Sequence, residues 1–442
     1  MSRTAYDTEA WMQAKSAARR LEAASHRPGA PASAPASAPA PAREPAREPT
    51  AEPTARPRTE TVDTAAVDAD VVGAVTRELH HVCGEFVSRS RSLDPVFATD
   101  IAERLAAFTL DGGSRIRPRF LWWSLRACGG TDTRAAAALG IAAALELIQS
   151  CALVHDDVMD RSAVRRGRPS FHAQLTDQYP QAPHRKESGG PSPFALSGAV
   201  LAGDLALSWA DDLVAAVDLE PAVRTEVLRI WRAMRMEMIA GQYLDLHGQT
   251  TSSRSTARAV RTICLKTARY TVEQPLALGA ALAGADEDTA RALADAGRFA
   301  GIAFQLRDDL LGVFGDPEVT GKPSGEDLRT GKATYLLALA HARARATGAT
   351  GVTALLDDYR TSTDRSAAAL TRVREALRST GAPALVERRI TGLARASRRR
   401  LADARLHGPA AGHLAALLSH VASPPHTAVR TPAPATRHGR TP

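Results

Sequence analysis

Along the central part of this chain apolar residues return every three or four positions, as in Leu139, Ala142, Ala143, Leu145, Ile148 and Ala152, while strict strand-like alternation is rare. That spacing marks one face of an α-helix, so helix follows helix. Ala, Leu and Arg dominate, aromatic residues are only 5%, and β-branched runs are short. The composition therefore agrees with the periodicity in predicting an all-α protein.

The periodic body has limits. Prolines recur at Pro31, Pro35 and Pro39, then at Pro41, Pro45, Pro49, Pro53 and Pro57. A chain interrupted so often can neither hold a helix nor pack a core. A disordered extension is expected over residues 1–66, a folded body over 67–421 and a disordered tail over 422–442. Residues 5–24 read as an incidental amphipathic helix around Trp11, Met12 and Leu21. The four cysteines match neither a CxxC site nor a secreted disulfide framework, and the first residues lack the basic-then-apolar order of a signal peptide. A reducing cytoplasm is expected. Residues 135–154 are apolar enough to suggest a membrane span, but Glu146, Gln149 and Ser150 interrupt them and three acids follow, so they read as a buried helix. The formal charge of +8 is spread through the low-complexity ends and Arg-rich helix faces. It calls for no nucleic acid and is met equally by an anionic small molecule.

The helical pattern breaks where charged motifs lie. His155-Asp156-Asp157-Val158-Met159-Asp160 ends the most apolar helix. Asp156 and Asp160, four apart, share a face with Cβ atoms about 5–6 Å apart. Clustered carboxylates raise one another's pKa unless cations neutralise them, and hard oxygen ligands suit Mg²⁺ bound together with a phosphate. A second pair, Asp308-Asp309, ends another apolar run. Two acidic clusters on separate helices can clamp Mg²⁺ around one diphosphate. Cations in glycine-rich backbone accompany both: Arg165-Arg166-Gly167-Arg168, Gly321-Lys322, Gly331-Lys332 and, upstream, Gly112-Gly113-Ser114-Arg115-Ile116-Arg117. Arginine forks and lysine point charges beside such carboxylates read as two anionic sites, one with metal and one without.

The order GGSRIRP, HDDVMD, RRGRP, GDLAL, KTARYT, FQLRDD and GKPSGEDLRTGK resembles that of the trans-polyprenyl diphosphate synthases, the family of farnesyl and geranylgeranyl diphosphate synthases, over about residues 71–417. The resemblance implies one large helical bundle of the isoprenoid synthase type with a central apolar tunnel, usually as a homodimer, and about three Mg²⁺ ions per active site. It implies that Asp156, Asp157, Asp160, Asp308 and Asp309 hold the metal and that Arg165, Lys266, Lys322 and Lys332 grip the allylic diphosphate. Arg115, Arg117, Gln149 and Arg166 would hold isopentenyl diphosphate without metal, and Thr267 and Gln305 would steady the developing carbocation. Two positions depart from the pattern. Ser114 stands where most relatives have a lysine, and Gly312 where the second motif has its last aspartate; Asp316 or Asp327 are the candidates to replace it.

The growing chain is expected to descend along the helix that ends at Asp156, past Ala152 and Cys151 to Ile148. Ala152 and Cys151 are small, so the product should exceed fifteen carbons. Ile148, Leu145 or Trp209 would form a lower floor, favouring a C20 product over a farnesyl or longer one. A terpene cyclase would share the fold and the first acidic motif but lack a separate isopentenyl site. A non-catalytic partner subunit would usually lose aspartates from the first motif, and here all remain.

Overall fold

A computed structural model describes residues 62–180, 190–316, 325–362, 364 and 366–422 of the chain. Most of the expected extension and tail, and also Lys322, lie outside the described residues. The body starts earlier than expected. Asp63 caps a short helix, Thr64–Ala69, by accepting hydrogen bonds from the amides of Ala65 and Ala66, and Thr64 and Val67 are buried. At the other end Ala422 is buried with Val421.

The helices that position the site are α1 (Val71–Leu93), α2 (Arg104–Leu110), α3 (Ile116–Ala127), α4 (Ala135–Asp160), α5 (Phe171–Gln178), α6 (Pro193–Ala216) and α7 (Pro221–Thr250). They continue with α8 (Thr256–Ile263), α9 (Gln274–Ala283), α10 (Glu287–Phe314), α11 (Glu326–Arg329), α12 (Tyr335–Ala346), α13 (Thr350–Thr361), α14 (Ala367–Ser379), α15 (Ala382–Asp403) and α16 (Gly408–Ala422). Among the described residues the one sheet is a two-stranded hairpin, β1 (Val164–Arg165) with β2 (Arg168–Pro169). Its turn, Arg166-Gly167, has positive φ at both residues, 53° and 75°. Two such residues in a row make the tight hairpin turn whose twist matches paired strands.

α4 is the axis of the core. Its 26 residues make it about 39 Å long, and Leu139, Ile141, Leu145, Leu147, Ile148 and Val154 are all buried. α4 and α6 are long and apolar enough to cross a bilayer; the most apolar window of Asp132–Asp160 is 78% buried inside the fold, as expected of a core helix, and that of Pro193–Ala216 is 44% buried. α6 runs antiparallel to it. A Cβ on Gly203 would meet the His155 ring at 2.1 Å, and one on Gly140 would meet Val217 at 3.5 Å. That register sets Trp209 opposite Ile148 and Gln149, where it stacks on Phe86 of α1 with ring centroids 4.8 Å apart. The outer face of α6 exposes Phe194, Val200 and Leu201.

Between α8 and α9 the helix continues as a π-helical stretch, Cys264–Glu273. This wider winding recurs at functional sites, and here it carries Lys266, Thr267 and Tyr270. Two glycines let neighbouring helices close on it. A Cβ at Gly241 of α7 would lie 2.4 Å from the Lys266 nitrogen, and one at Gly301 of α10 would lie 2.5 Å from the Ala268 Cα.

Candidate active site

Both acidic motifs stand at the C-terminal ends of their helices, where the macrodipole disfavours anions. α4 stops as Arg161 turns left-handed at φ 53°, and α10 ends at Phe314, five residues past Asp309. Such placement needs compensating cations, and the fold supplies them. Lys266 Nζ lies 2.7 Å from Asp245 and 3.3 Å from Asp156. Burial works to raise the Asp156 pKa, but Lys266, then Arg165 and Lys332, outweigh it and hold the carboxyl below its usual range. Asp160 is pushed up, by burial and then by Asp156. Lys332 stands between the clusters: burial disfavours its charge, yet Asp327 on one side and Asp160, Asp156 and Asp245 on the other raise its pKa. The two acidic groups therefore converge on one cleft.

Half-exposed Gln149, Ala152, Asp156 and Asp160 form a stripe up one face of α4, while Leu145 and Ile148 below it are 0% exposed. The exposed stripe of α4 thus ends below Gln149, where Ile148 is fully buried. Cys151 lies off this stripe, its thiol 3.8 Å from His155 Nδ1.

Asp157 is not in the cleft. Its carboxylate is 0% exposed and accepts from Arg165 Nε at 2.9 Å and from a second Arg165 nitrogen at 2.5 Å. The expectation that it ligates metal is corrected: the middle acid of the motif turns inward and positions Arg165. Arg115 is corrected too. At φ 47° it turns into the core, 2.6 Å from Glu146, and donates to the carbonyls of Thr109 and Leu110 at 3.0 and 3.1 Å. With 4% exposure it cannot meet a substrate. Asp316 lies beyond the end of α10, so it does not continue the face of Asp308.

The remaining cations gather beside the cleft. Arg117 donates to Thr271 Oγ1 at 2.9 Å and lies over the Tyr270 ring at 4.5 Å, leaving its buried Nε without a partner. Tyr270 donates to Gln149 Oε1 at 3.0 Å. Arg166 donates to the carbonyls of Asp111 and Gly112 at 3.3 and 3.2 Å. Burial, followed by the like charges of Arg115, Arg165 and Arg117, lowers its pKa against the pull of Glu146. An anion would relieve that crowding.

Thr267 donates to Gln305 Oε1 at 2.8 Å, and Gln305 Nε2 donates to Asp309 Oδ1 at 3.0 Å, so the amide is fixed at both ends. Two residues were not anticipated. Gln242 of α7 donates to Asp156 at 2.9 Å, and Asp245, three residues on, is the partner of Lys266. The signal was present: Gln242 and Asp245 share a helix face next to the close-packed Gly241.

The sequence model of the polyprenyl synthetase family matches residues 99–373, more than half of the chain. The chain belongs to that family. Similar to it is the geranylgeranyl diphosphate synthase of Mycobacterium tuberculosis, 31% identical over 306 residues, covering 67% of this chain and 80% of that one. The geranylfarnesyl diphosphate synthase of Aeropyrum pernix is 34% identical over 231 residues, covering 51% of this chain and 65% of that one, so the match spans just under two thirds of that relative. Among solved structures, the geranylgeranyl pyrophosphate synthase of Corynebacterium glutamicum, complexed with isoprenyl diphosphate and magnesium, superposes with a TM-score of 0.71 at 36% identity, covering 79% of this chain and 98% of that chain. The bundle is thus the all-α fold of the prenyl synthases.

In this polyprenyl synthetase the acids fit a divalent cation. Asp156, Asp160 and Asp308 line the cleft as hard oxygen donors, and Asp309 Oδ2 behind them is buried with no hydrogen-bond partner, as is Asp157 Oδ2 behind the first motif. Among the described residues no three acid, imidazole or thiol groups form a cage by themselves.

A pH effect follows. Burial, helped by Asp327 and Asp308 and opposed by the Gln305 hydrogen bond, pushes Asp309 from 3.8 up to about 8. Because the folded value lies above the unfolded one, its contribution is present below 3.8 and is lost as the pH rises towards about 8, by up to about 1.4 kcal/mol per pH unit. Chelator-treated protein should melt lower at pH 8 than at pH 6, and Asp309→Asn should flatten that difference. Equal declines in both proteins would remove Asp309 as the source.

Proposed function

We propose that the chain is a Mg²⁺-dependent prenyltransferase that joins isopentenyl diphosphate head to tail with an allylic diphosphate, and that the main product is geranylgeranyl diphosphate. The observation that carries this is the pairing of two unlike anion sites. One lies between converging carboxylates and holds Lys266 and Lys332; the other, at Arg117, Arg166 and Gln149, has no cleft acid of its own.

When bound, Mg²⁺ neutralises the leaving diphosphate and draws charge from the allylic C–O bond. Asp156, Asp160, Asp308 and Asp309 would hold it, with Arg165, Lys266 and Lys332 adding charge to the same diphosphate. Lys322 belongs to this proposal by resemblance only. Arg117 and Arg166 hold the isopentenyl diphosphate so that its double bond faces C1 of the allylic partner. The oxygens of Thr267 and Gln305, locked by their mutual hydrogen bond, present dipoles to the developing cation, and the apolar walls keep water from it. The new C–C bond forms as the C–O bond breaks, and a proton then leaves the adjacent carbon for the departed diphosphate.

The burial pattern along α4 supports the C20 reading. Ala152 leaves the upper level open, and Ile148 with the Phe86–Trp209 stack closes it about 12 Å below the level of Asp156 along α4. The exposed apolar face of α6 supports a homodimer, and the four free cysteines support a reducing cytoplasm.

The test is incubation with Mg²⁺, labelled isopentenyl diphosphate and each allylic diphosphate in turn, with products sized after dephosphorylation. A dominant C20 alcohol is expected, and Ala152→Phe should shorten it to C15 or less. A C15 or C30 product from the unaltered chain would overturn the floor assignment and keep the chemistry. No elongation with any primer would favour a partner subunit.

A further inference from the structure

Gly331, Lys332 and Ala333 form one wall of a second hollow, closed on its other sides by the turn after α7 and by α12, α13 and α14. None of the cleft acids lines it. The hollow offers about 50 Å³ to the centres of water-sized molecules, room for about four of them. Three cations, Arg254, Lys332 and Arg360, line it, and among the described residues no acid does. Arg254 is held in place by Asp357, and Arg360 donates to the Ser252 hydroxyl. Leu356 and Val373, both buried, supply an apolar inner wall.

His341 of α12 also lines the hollow. It is 8% exposed, and its Nδ1 is buried with no hydrogen-bond partner. Nε2, on the other side of the ring, lies 3.6 Å from Asp357 Oδ1. Burial and Arg254, joined by Arg360 and opposed by Asp357, hold the imidazole below its usual pKa, so it is uncharged at neutral pH. With the Nε2 proton towards Asp357, Nδ1 is left as an acceptor. A ligand that completes this place therefore supplies anionic oxygens for the arginines and a donor for Nδ1. A carboxylate has only the first at neutral pH. A phosphate group, whose second pKa is about 6, has both.

We propose that this hollow is a second anion site that takes a phosphate group, free or at the end of a small ester, and that its occupancy weakens the hold of the cleft on diphosphate through Lys332. Lys332 belongs to both places: its side chain lies 3.7 Å from Asp327 and feels Asp160, Asp156 and Asp245 across the cleft, while its segment walls the hollow. Two anions would then share one cation. The phosphate site stands without the reaction proposed above; the coupling rests on that reading, since it takes Lys332 as a diphosphate ligand.

The experiment is calorimetry on the full chain with its cleft filled by Mg²⁺ and inorganic pyrophosphate, titrated with orthophosphate, isopentyl phosphate and sulfate. One further site for phosphate is expected. Sulfate, which has the oxygens but no proton at neutral pH, should bind about tenfold more weakly, and His341→Phe should abolish that preference. Arg254→Gln with Arg360→Gln should lose the site while the cleft still binds pyrophosphate. Tighter binding of isopentyl phosphate would identify an ester as the occupant, and equal binding the free ion. Saturating the hollow should raise the Kd for Mg²⁺ and pyrophosphate about fivefold or more, and the effect should be reciprocal. The site is overturned if no phosphate binds beyond the cleft, if the double arginine variant binds it unchanged, or if sulfate matches phosphate. An unchanged pyrophosphate Kd would overturn the coupling through Lys332. A chain that binds phosphate in the hollow but no pyrophosphate in the cleft would keep the site and sink the proposed function.

Discussion

Asp156→Ala is expected to lower turnover by at least about a hundredfold, the scale of removing one preorganised electrostatic group from a reacting centre. The carboxylate accepts from Gln242 at 2.9 Å and pairs with Lys266 at 3.3 Å and Arg165 at 3.4 Å. It therefore organises donors from three other parts of the fold besides facing the cation site. At an effective dielectric near 20 one unit charge pair at 4 Å is worth about 4 kcal/mol, so a loss of this order needs no distortion of the helix. Stability should change little, because Lys266 keeps Asp245 at 2.7 Å and Asp160 loses a repelling neighbour. Labelled isopentenyl diphosphate incorporation measures the first effect, and circular dichroism melting the second. Retained turnover would remove the cation clamp from Asp156.

Arg115 should behave in the opposite way. Arg115→Ala leaves Glu146, with 5% side-chain exposure, as a buried charge without its partner, and stability should fall by about 3–5 kcal/mol. Replacing both members, as Arg115→Met with Glu146→Leu, should recover most of that loss, since a buried pair roughly offsets its own desolvation. Urea unfolding decides the stability claim. In the double variant the KM for isopentenyl diphosphate should stay near its original value, whereas Arg117→Ala should raise it. A stable Arg115→Ala with a raised KM would return Arg115 to the substrate site.

The contrast between these residues shows what the chain made legible. Helix periodicity exposed α4 as a core element, because its apolar positions have no other use, and the acidic ends stood out because carboxylates crowd together where the apolar runs stop. Arg115 and Arg117 could not be separated, since an arginine after two glycines looks the same whether it turns into the core or towards a phosphate. The left-handed backbone at Arg115, visible only in three dimensions, decides it. Asp157 was hidden for a similar reason. Three acids in a row of six share two helix faces, and the inward face is known only once Arg165 is seen beneath it. Asp327 was one of two candidates for the missing carboxylate, and the end of α10 at Phe314 excludes Asp316 from that face. The π-helical winding of Cys264–Glu273 carries no compositional mark, so the way it aims Lys266 was unreadable.

α4 carries the cation-facing acids at one end and the proposed floor of the cleft two turns below, with no break between them. Such a rod works as a measuring stick graduated in helical turns, each about 5.4 Å and close to the length of one isoprene unit. On the proposed function, exchanging a small side chain for a large one along the stripe through Ala152 would move the end point of synthesis by whole five-carbon steps without disturbing the acids. Product length would in this sense be a separately adjustable setting.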